Sequence, residues 1–166
     1  MRFFFAMILF FASVLLGCST ETPVEKAIQV ATAGLEARFN VTDPSPTEVI
    51  TAEQVQKLFD HLRPYYTEKV LDNMRKNREP TVFVDALYKQ KAKLSLQNVS
   101  LANVTEKNEA DAFTFHYTAT IHVSYLDGRE TKVVQLKGQM DVVQEGDTWK
   151  ISRDWDDGSL AEVLLD

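Results

Sequence analysis

The chain has 166 residues, of which 45% are apolar and 25% are charged, and these values are ordinary for one globular domain. They exclude a disordered or collagen-like chain, and the single cysteine excludes a framework of internal disulfides. The 18 basic residues against 24 acidic ones give a net charge of −6, which argues against a nucleic-acid partner.

The first segment has the layout of a secretory signal peptide. Arg2 supplies a positive charge, an apolar run follows from Phe3 to Leu16, and Gly17 provides a small residue at the expected cleavage point. As a helix this run spans about 21 Å, which is short of the roughly 30 Å hydrocarbon core of a membrane. The pattern therefore predicts a cleaved signal over residues 1–17 rather than a membrane-spanning helix.

The only cysteine, Cys18, directly follows that glycine. The sequence Leu15-Leu16-Gly17-Cys18 resembles the lipobox of bacterial lipoproteins, which implies cleavage before Cys18 and attachment of diacylglycerol and palmitate there. Two acyl chains anchor a protein far more firmly than one. The alternative is an ordinary signal peptide with a chance cysteine.

This resemblance implies an organisation for the whole chain. Residues 18–23 form the lipidated N-terminus and a short tether, and residues 24–166 form a single domain. The expected location is the cell membrane or the outer membrane, lipid-anchored and facing away from the cytoplasm.

Helices are predicted in the first half of that domain. Thr22-Pro23-Val24-Glu25 combines an N-cap residue, a proline at the first helical position and a glutamate that closes a capping box. Apolar residues then recur at helical spacing down to about Arg38. A second helix is predicted after Thr51, and a third, short one is predicted to end at Pro80. Residues 81–88 fit a helix and a strand equally well.

The pattern changes to a period of two from Lys91 onward, which predicts strands. Residues 113–125 alternate apolar and polar side chains, and Asp127-Gly128 favours a two-residue hairpin turn of type I′. In the register that this turn sets, the apolar faces of the two strands coincide. The predicted pairs are Phe113 with Val142, Phe115 with Met140, Tyr117 with Gly138, Ala119 with Leu136, and Ile121 with Val134.

A second turn at Glu145-Gly146 adds another strand to the apolar face. The predicted pairs are Val142 with Trp149, Met140 with Ile151, and Leu136 with Trp155, so both tryptophans lie on the apolar side. Upstream, the alternation that starts at Ala92 changes phase near Asn98, which predicts a β-bulge.

Helices followed by an antiparallel meander predict an α+β fold, with N-terminal helices packed on the apolar face of a curved antiparallel sheet. Residues 24–157 resemble the NTF2-like, cystatin-like superfamily. Gly146-Asp147-Thr148-Trp149-Lys150-Ile151 is similar to the Gly-x-x-Trp-Lys-Ile ending common there. The resemblance implies a cone whose mouth can hold an apolar ligand, and in which some members use a carboxylate or a histidine for proton transfer.

Six residues are candidates for such chemistry. They are Asp85, Asp111, His116, Tyr117, His122 and Asp154. None of them lies in a motif of the family, so no catalytic role follows from the resemblance. The sequence also contains no phosphate-binding glycine loop and no serine-hydrolase or zinc-protease motif, and we expect no cofactor.

Neither the histidines nor the acidic residues near the C-terminus predict a metal site. His116 and His122 are six positions apart on one strand, which separates them by about 20 Å, too far to share an ion. They lie on the face opposite the aromatic residues, which favours exposed or interface histidines. Residues 154–158 lack the spacing of a calcium loop and indicate a solvated strand end.

Tyr117 and Gly138 mark a possible pocket. The register places Tyr117 on the inward face opposite Gly138, whose missing side chain leaves space, and Arg153 lies near Gly138 on the next strand. Tyr117 could then donate a hydrogen bond to a ligand. The alternative is that the glycine marks a bend and the aromatic ring fills the gap.

The opposite face of the hairpin is polar and carries little charge. It is formed by Thr114, Thr118, Thr120, Gln135, Lys137 and Gln139. Such a face suits pairing with another sheet, and the resemblance implies a protein partner or a homodimer through it. Simple solvent exposure predicts the same composition.

Three functions remain open at this point. The first is a lipid-anchored extracytoplasmic NTF2-like domain that binds a small molecule or a protein without catalysis. The second is a small isomerase or dehydratase that uses Tyr117 with an acid from Asp85 or Asp154. The third is a structural component of an envelope or secretion complex. An open cavity that holds Tyr117 and a carboxylate favours the enzyme, whereas a filled interior favours an interaction module.

Overall fold

The computed structural model describes residues 21–41, 50–107 and 111–165. The predicted signal peptide and Cys18 lie outside the described residues. Within them, the helices are α1 (Pro23–Phe39), α2 (Ala52–Leu62), α3 (Glu68–Asn77), α4 (Glu79–Gln90) and α5 (Ser159–Leu165). The strands are β1 (Ala92–Lys107), β2 (Ala112–Tyr125), β3 (Lys132–Glu145) and β4 (Thr148–Asp156).

The first two helices begin where the capping signals predict. The Thr22 side chain accepts a hydrogen bond from the Glu25 backbone, and the Glu25 carboxylate accepts one in return from the Thr22 backbone N–H at 2.7 Å. Thr51 and Gln54 form the same capping box at the start of α2. These bonds satisfy backbone N–H groups that a helix leaves free in its first turn.

Pro80 does not end the third helix, and this expectation was wrong. Helix α3 ends at Asn77 because Arg78 adopts a left-handed conformation with φ 58°. Pro80 then lies in the first turn of α4, where its missing N–H has no intrahelical partner to lose. The ambiguous residues 81–88 are therefore helical. Helix α5 was not predicted.

The four strands form one antiparallel sheet in the order β1-β2-β3-β4. The predicted register of β2 and β3 is confirmed, including Tyr117 opposite Gly138, and so is the bulge between Leu96 and Asn98. The prediction of a type I′ turn was wrong. Such a turn needs a positive φ at both central residues. Gly128 has a φ of 84°, but Asp127 does not have a positive φ.

The register of β3 and β4 differs from the prediction. Thr148 pairs with Glu145, so the turn is Gly146-Asp147, and Ile151 pairs with Val142. Ser152 is then an extra residue in β4, and its hydroxyl donates to the Asp141 carbonyl at 3.3 Å.

Because of this bulge at Ser152, the side chains at the end of β4 point to the opposite faces of the sheet from those predicted. Trp149 and Ile151 are buried as expected, but Trp155 pairs with Gln139 and is 62% exposed. The Asp154 side chain takes the inward direction instead and is fully buried. The predicted solvated strand end at residues 154–158 is therefore wrong for Asp154.

The core lies between the inner face of the sheet and the helices. Its largest fully buried side chains include Phe115, Ile121, Leu136, Met140 and Ile151 from the sheet, and Leu35, Phe59, Leu62, Leu71 and Leu87 from the helices. Helix α1 approaches β4 closely at Gly34, where a Cβ atom would overlap the Ile151 side chain. The inner face of the sheet is thus covered by helices, and its outer face is left to solvent.

Candidate functional site

A group of polar side chains lies within this otherwise apolar interior, where the end of α1 meets the sheet. Its members are Arg38, Tyr66, Tyr117, Asp154 and Asp156, and we refer to them as the Arg38 network. They come from α1, the turn after α2, and strands β2 and β4.

Asp154 is the centre of the Arg38 network. Its Oδ2 accepts hydrogen bonds from Arg38 Nη1 at 2.8 Å and from the Tyr66 hydroxyl at 3.0 Å, and its Oδ1 accepts one from the Tyr117 hydroxyl at 3.1 Å. Arg38 Nη2 donates to Asp156 Oδ2 at 2.9 Å. The carboxylate of Asp154 is therefore held by three donors of the protein itself.

Local structure places each of these groups. The bulge at Ser152 turns Asp154 and Asp156 inward. Tyr66 is held against β4 because the Ile151 N–H donates to the Tyr65 carbonyl at 2.7 Å and the Thr67 N–H donates to the Ile151 carbonyl at 3.0 Å. The other oxygen of Asp156 accepts from the Gly158 N–H at 3.0 Å, which links the network to the start of α5.

The ion pair at the centre is largely shielded from water. The side chains of Arg38 and Asp154 are 15% and 0% exposed. Burial is the largest single influence on the pKa of Arg38 and lowers it, but the charge of Asp154 together with smaller contributions from Tyr66, Asp156 and Tyr117 outweighs burial, so the pKa is raised. The guanidinium remains charged, and removing either partner would leave an uncompensated buried charge.

Both tyrosines of the network have raised pKa values. For Tyr66 and Tyr117 the main cause is burial, and the negative charge of Asp154 raises the pKa further, against the opposing effect of Arg38. The phenols therefore stay protonated and act as hydrogen-bond donors to Asp154 at neutral pH.

The space beside Gly138 is occupied by the ring of Tyr117. A Cβ atom at Gly138 would overlap the Tyr117 ring and the Trp155 carbonyl. Arg153 is not part of this group, because it is about half exposed and its Nε lies 3.2 Å from Asp141 Oδ2. The bulge at Ser152 is the reason, since it places Arg153 on the outer face.

Of the six candidate residues, only Tyr117 and Asp154 come together. Asp85 pairs with Lys89 at 2.7 Å along α4. Asp111 and His116 are exposed, and His122 is half-buried on the outer face of the sheet. The part of the chain that the structure describes contains no group of three or more His, Cys, Asp or Glu side chains placed to hold a metal ion.

Two spaces border the Arg38 network. The first is an apolar cavity between the helices and β1, lined by Leu58, Leu62, Met74 and other side chains, with a volume of about 30 Å³. That is room for one or two water molecules. The second is an open cleft of about 250 Å³ beside Trp155. Both are smaller than the roughly 300–1,000 Å³ of most small-molecule sites.

Arg38 was not among the predicted site residues, although the sequence contains a signal for it. The apolar positions of α1 include Ala31 and Leu35, and Arg38 is the next residue on the same face of the helix. A charge on the buried face of a helix requires a buried partner. The position of Arg38 therefore indicates an inward-facing acid on the sheet.

No protein-family model matches the sequence, and a comparison with curated proteins gives no match. Solved structures do match. The periplasmic domain of DotI has a TM-score of 0.55 and 14% identity, covering 84% of this chain and 98% of that one. An Ntf2 like protein involved in plasmid conjugation has a TM-score of 0.51 and 12% identity, covering 81% of this chain.

The fold is NTF2-like. This chain spans about half the length of the conjugation protein, because the match covers 49% of that structure. The NTF2-like region contains no helix, among those described, that is long and apolar enough to cross a membrane.

Proposed function

We propose that this protein is a lipid-anchored, extracytoplasmic NTF2-like domain that acts without catalysis, as an interaction component of a complex in the cell envelope. The observation that carries the proposal is the filled interior around Asp154. The protein's own side chains, rather than a ligand, donate hydrogen bonds to both oxygens of that carboxylate.

This arrangement favours an interaction module over an enzyme. A general base needs an accessible carboxylate and room for the substrate whose proton it removes. The Asp154 side chain is fully buried, and the two spaces beside the Arg38 network, of about 30 and 250 Å³, are both smaller than most small-molecule sites. Tyr117 is likewise engaged, because its hydroxyl donates to Asp154.

The enzyme remains the second candidate because Tyr117 and Asp154 are in contact at 3.1 Å. It requires the Arg38 network to open and admit a substrate. Under that hypothesis, Tyr117→Phe would have to abolish an identified turnover.

The structural similarities support the envelope location. The matched DotI structure is a periplasmic domain, and the second match is involved in plasmid conjugation. Together with the signal peptide and lipobox expected over residues 1–18, they support a protein exported across the inner membrane and retained by its acyl chains. We propose a protein partner or a second copy of the chain as the ligand of the polar sheet face.

Lipid anchoring is tested by replacing Cys18 with Ala in the full chain, expressed in a bacterium fed with labelled palmitate. We expect the unaltered protein to carry the label and to sediment with membranes. The Cys18→Ala protein should lose the label and appear in the soluble fraction or the medium, because one thiol carries the anchor.

Ser19→Ala provides a matched control, since it alters the neighbouring residue and leaves the thiol in place. It should remain labelled and bound to membranes. Membrane retention of Cys18→Ala equal to that of the unaltered protein would rule the anchor out.

A further inference from the structure

An open cleft lies at the end of β4, next to the start of α4 and to α5. It is lined by Arg38, Glu79, Phe83, Asp154, Trp155, Asp156 and Ala161, and we call it the Trp155 cleft. Its volume of about 250 Å³ is small for a metabolite but suits one long side chain of a partner.

Trp155 is exposed there because of the bulge at Ser152. Without the bulge, Trp155 would lie on the same face of the sheet as Trp149 and Ile151, both of which are buried. The extra residue instead leaves the indole 62% exposed and turns a carboxylate into the core. Bulges often re-aim a side chain at a functional site, and tryptophan is among the residues most enriched at the energetic centres of protein interfaces.

The walls of the Trp155 cleft carry an excess of negative charge. The lining contains three carboxylates, those of Glu79, Asp154 and Asp156, but only one guanidinium, that of Arg38. Arg38 is committed to the two aspartates at 2.8 and 2.9 Å. Glu79 is exposed and accepts a hydrogen bond from Asn77 at 3.0 Å, but the described residues offer it no ion-pair partner.

We propose that the Trp155 cleft is the docking site for a basic segment of a partner protein, which inserts one arginine or lysine side chain beside Trp155 and Phe83. This inference rests on the proposed interaction function and names the chemistry of the partner. A cation is attracted to the faces of aromatic rings and to the uncompensated carboxylate of Glu79. The net charge of −6 also steers a basic partner toward the protein.

The test uses the full chain in detergent, isotope-labelled at its tryptophans, and nuclear magnetic resonance of the indole N–H groups. The protein contains two tryptophans, so Trp155→Phe assigns the signals. The probe is an acetylated Gly-Arg-Gly amide, and the matched control peptide carries citrulline, which has nearly the same shape as arginine but no charge.

We expect the arginine peptide to shift the Trp155 signal saturably while that of buried Trp149 stays in place. Glu79→Gln should raise the dissociation constant roughly two- to fivefold, the effect of one exposed ion pair. Glu130→Gln, which removes an exposed charge outside this cleft, should leave it unchanged.

Three outcomes would overturn the docking site: an equal shift with the citrulline peptide, full affinity in Glu79→Gln, or no saturable shift of Trp155. None of these outcomes changes the fraction, soluble or membrane, in which the Cys18→Ala protein is found. Failure of this site and failure of the anchored interaction function are therefore distinguishable.

Discussion

Arg38 and Asp154 each neutralise the charge that the other carries inside the protein. Their contact at 2.8 Å lies between side chains that are 15% and 0% exposed. The desolvation of such a pair offsets much of its attraction, so its presence is a weak argument for stability, whereas loss of one partner is strongly destabilising.

Replacing Arg38 with Met should therefore lower the free energy of unfolding by about 3–5 kcal/mol, because Asp154 keeps its charge without a counterion. Urea unfolding monitored by circular dichroism measures the change. Arg153→Met is the matched control, since it removes a half-exposed ion pair with Asp141 and should cost at most about 1 kcal/mol.

A second variant separates charge from packing. Asp154→Asn in the Arg38→Met background should recover part of the loss, because the amide is neutral and can still accept hydrogen bonds from the tyrosines. Equal costs for Arg38→Met and Arg153→Met would contradict the role assigned to the buried pair.

The tyrosines of the network predict how stability depends on pH. The pKa values of Tyr66 and Tyr117 are raised in the folded protein, mainly by burial, whereas a tyrosine in the unfolded chain ionises near pH 10. Their contribution to stability is complete below about pH 10. Above that pH the unfolded state loses its protons first, and the free energy of unfolding falls.

Each such tyrosine lowers the free energy of unfolding by about 1.4 kcal/mol for every pH unit above its unfolded pKa, until the folded form also ionises. Urea unfolding from pH 8 upward measures the slope. The double variant Tyr66→Phe with Tyr117→Phe should decline less steeply above about pH 10. A slope identical to that of the unaltered protein would argue against buried, protonated phenols.

At the scale of elements, β2 and β3 could be paired correctly from sequence because their alternation continues without interruption along both strands. The turn at Asp127-Gly128 sets the register, and in it both apolar faces coincide, as in Phe115 with Met140 and Ile121 with Val134. The wrong pairing of β3 with β4 has two causes. The turn is Gly146-Asp147, one residue later than predicted, and one extra residue at Ser152 then reverses every later side chain.

The candidate site was predictable only in part for the same reason. Tyr117 opposite Gly138 followed from the hairpin, but the inward direction of Asp154 followed from a bulge that local periodicity does not reveal. The partner of Asp154 is on a distant helix. Spacing within one element carries no information about which distant elements meet, so Arg38 was missed.

The contact of β2 with β3 gives a test of packing at Gly138. In Gly138→Ala, the new methyl group would overlap the Tyr117 ring and the Trp155 backbone, so we expect a loss of about 1–3 kcal/mol in the free energy of unfolding. Denaturant midpoints measure it, with Gln139→Ala as the control at the next position. A neutral Gly138→Ala would indicate that the Tyr117 ring is free to move aside.

At the scale of the whole molecule, the two faces of the sheet differ in what covers them. Helices cover the inner face, and the outer face presents polar side chains such as Thr118 and Gln135, with Lys137 beside them. This division leaves a broad surface for the partner or second copy that the proposed function requires.

If the outer face joins two copies, the protein should sediment as a dimer. Thr118→Arg should then dissociate it, because the new charge lies directly opposite Lys137 and is repeated across the interface. Analytical ultracentrifugation of the detergent-solubilised full chain measures this. Asn73→Arg, which adds the same charge on the exposed surface of α3, should leave the dimer intact.

Dissociation by both variants would point to a general effect of charge, and a monomeric unaltered protein would rule out self-pairing through the sheet. In the second case the outer face would be left for a different protein.

Arg38 and Asp154 are separated by 116 positions in sequence, and this distance also governs when the protein can finish folding. Synthesis runs from the N-terminus, so the arginine emerges long before its counterion, and the contact of α1 with Asp154 cannot form until β4 has been made. In a protein exported as proposed above, this delay would keep the chain unfolded until translocation is almost over.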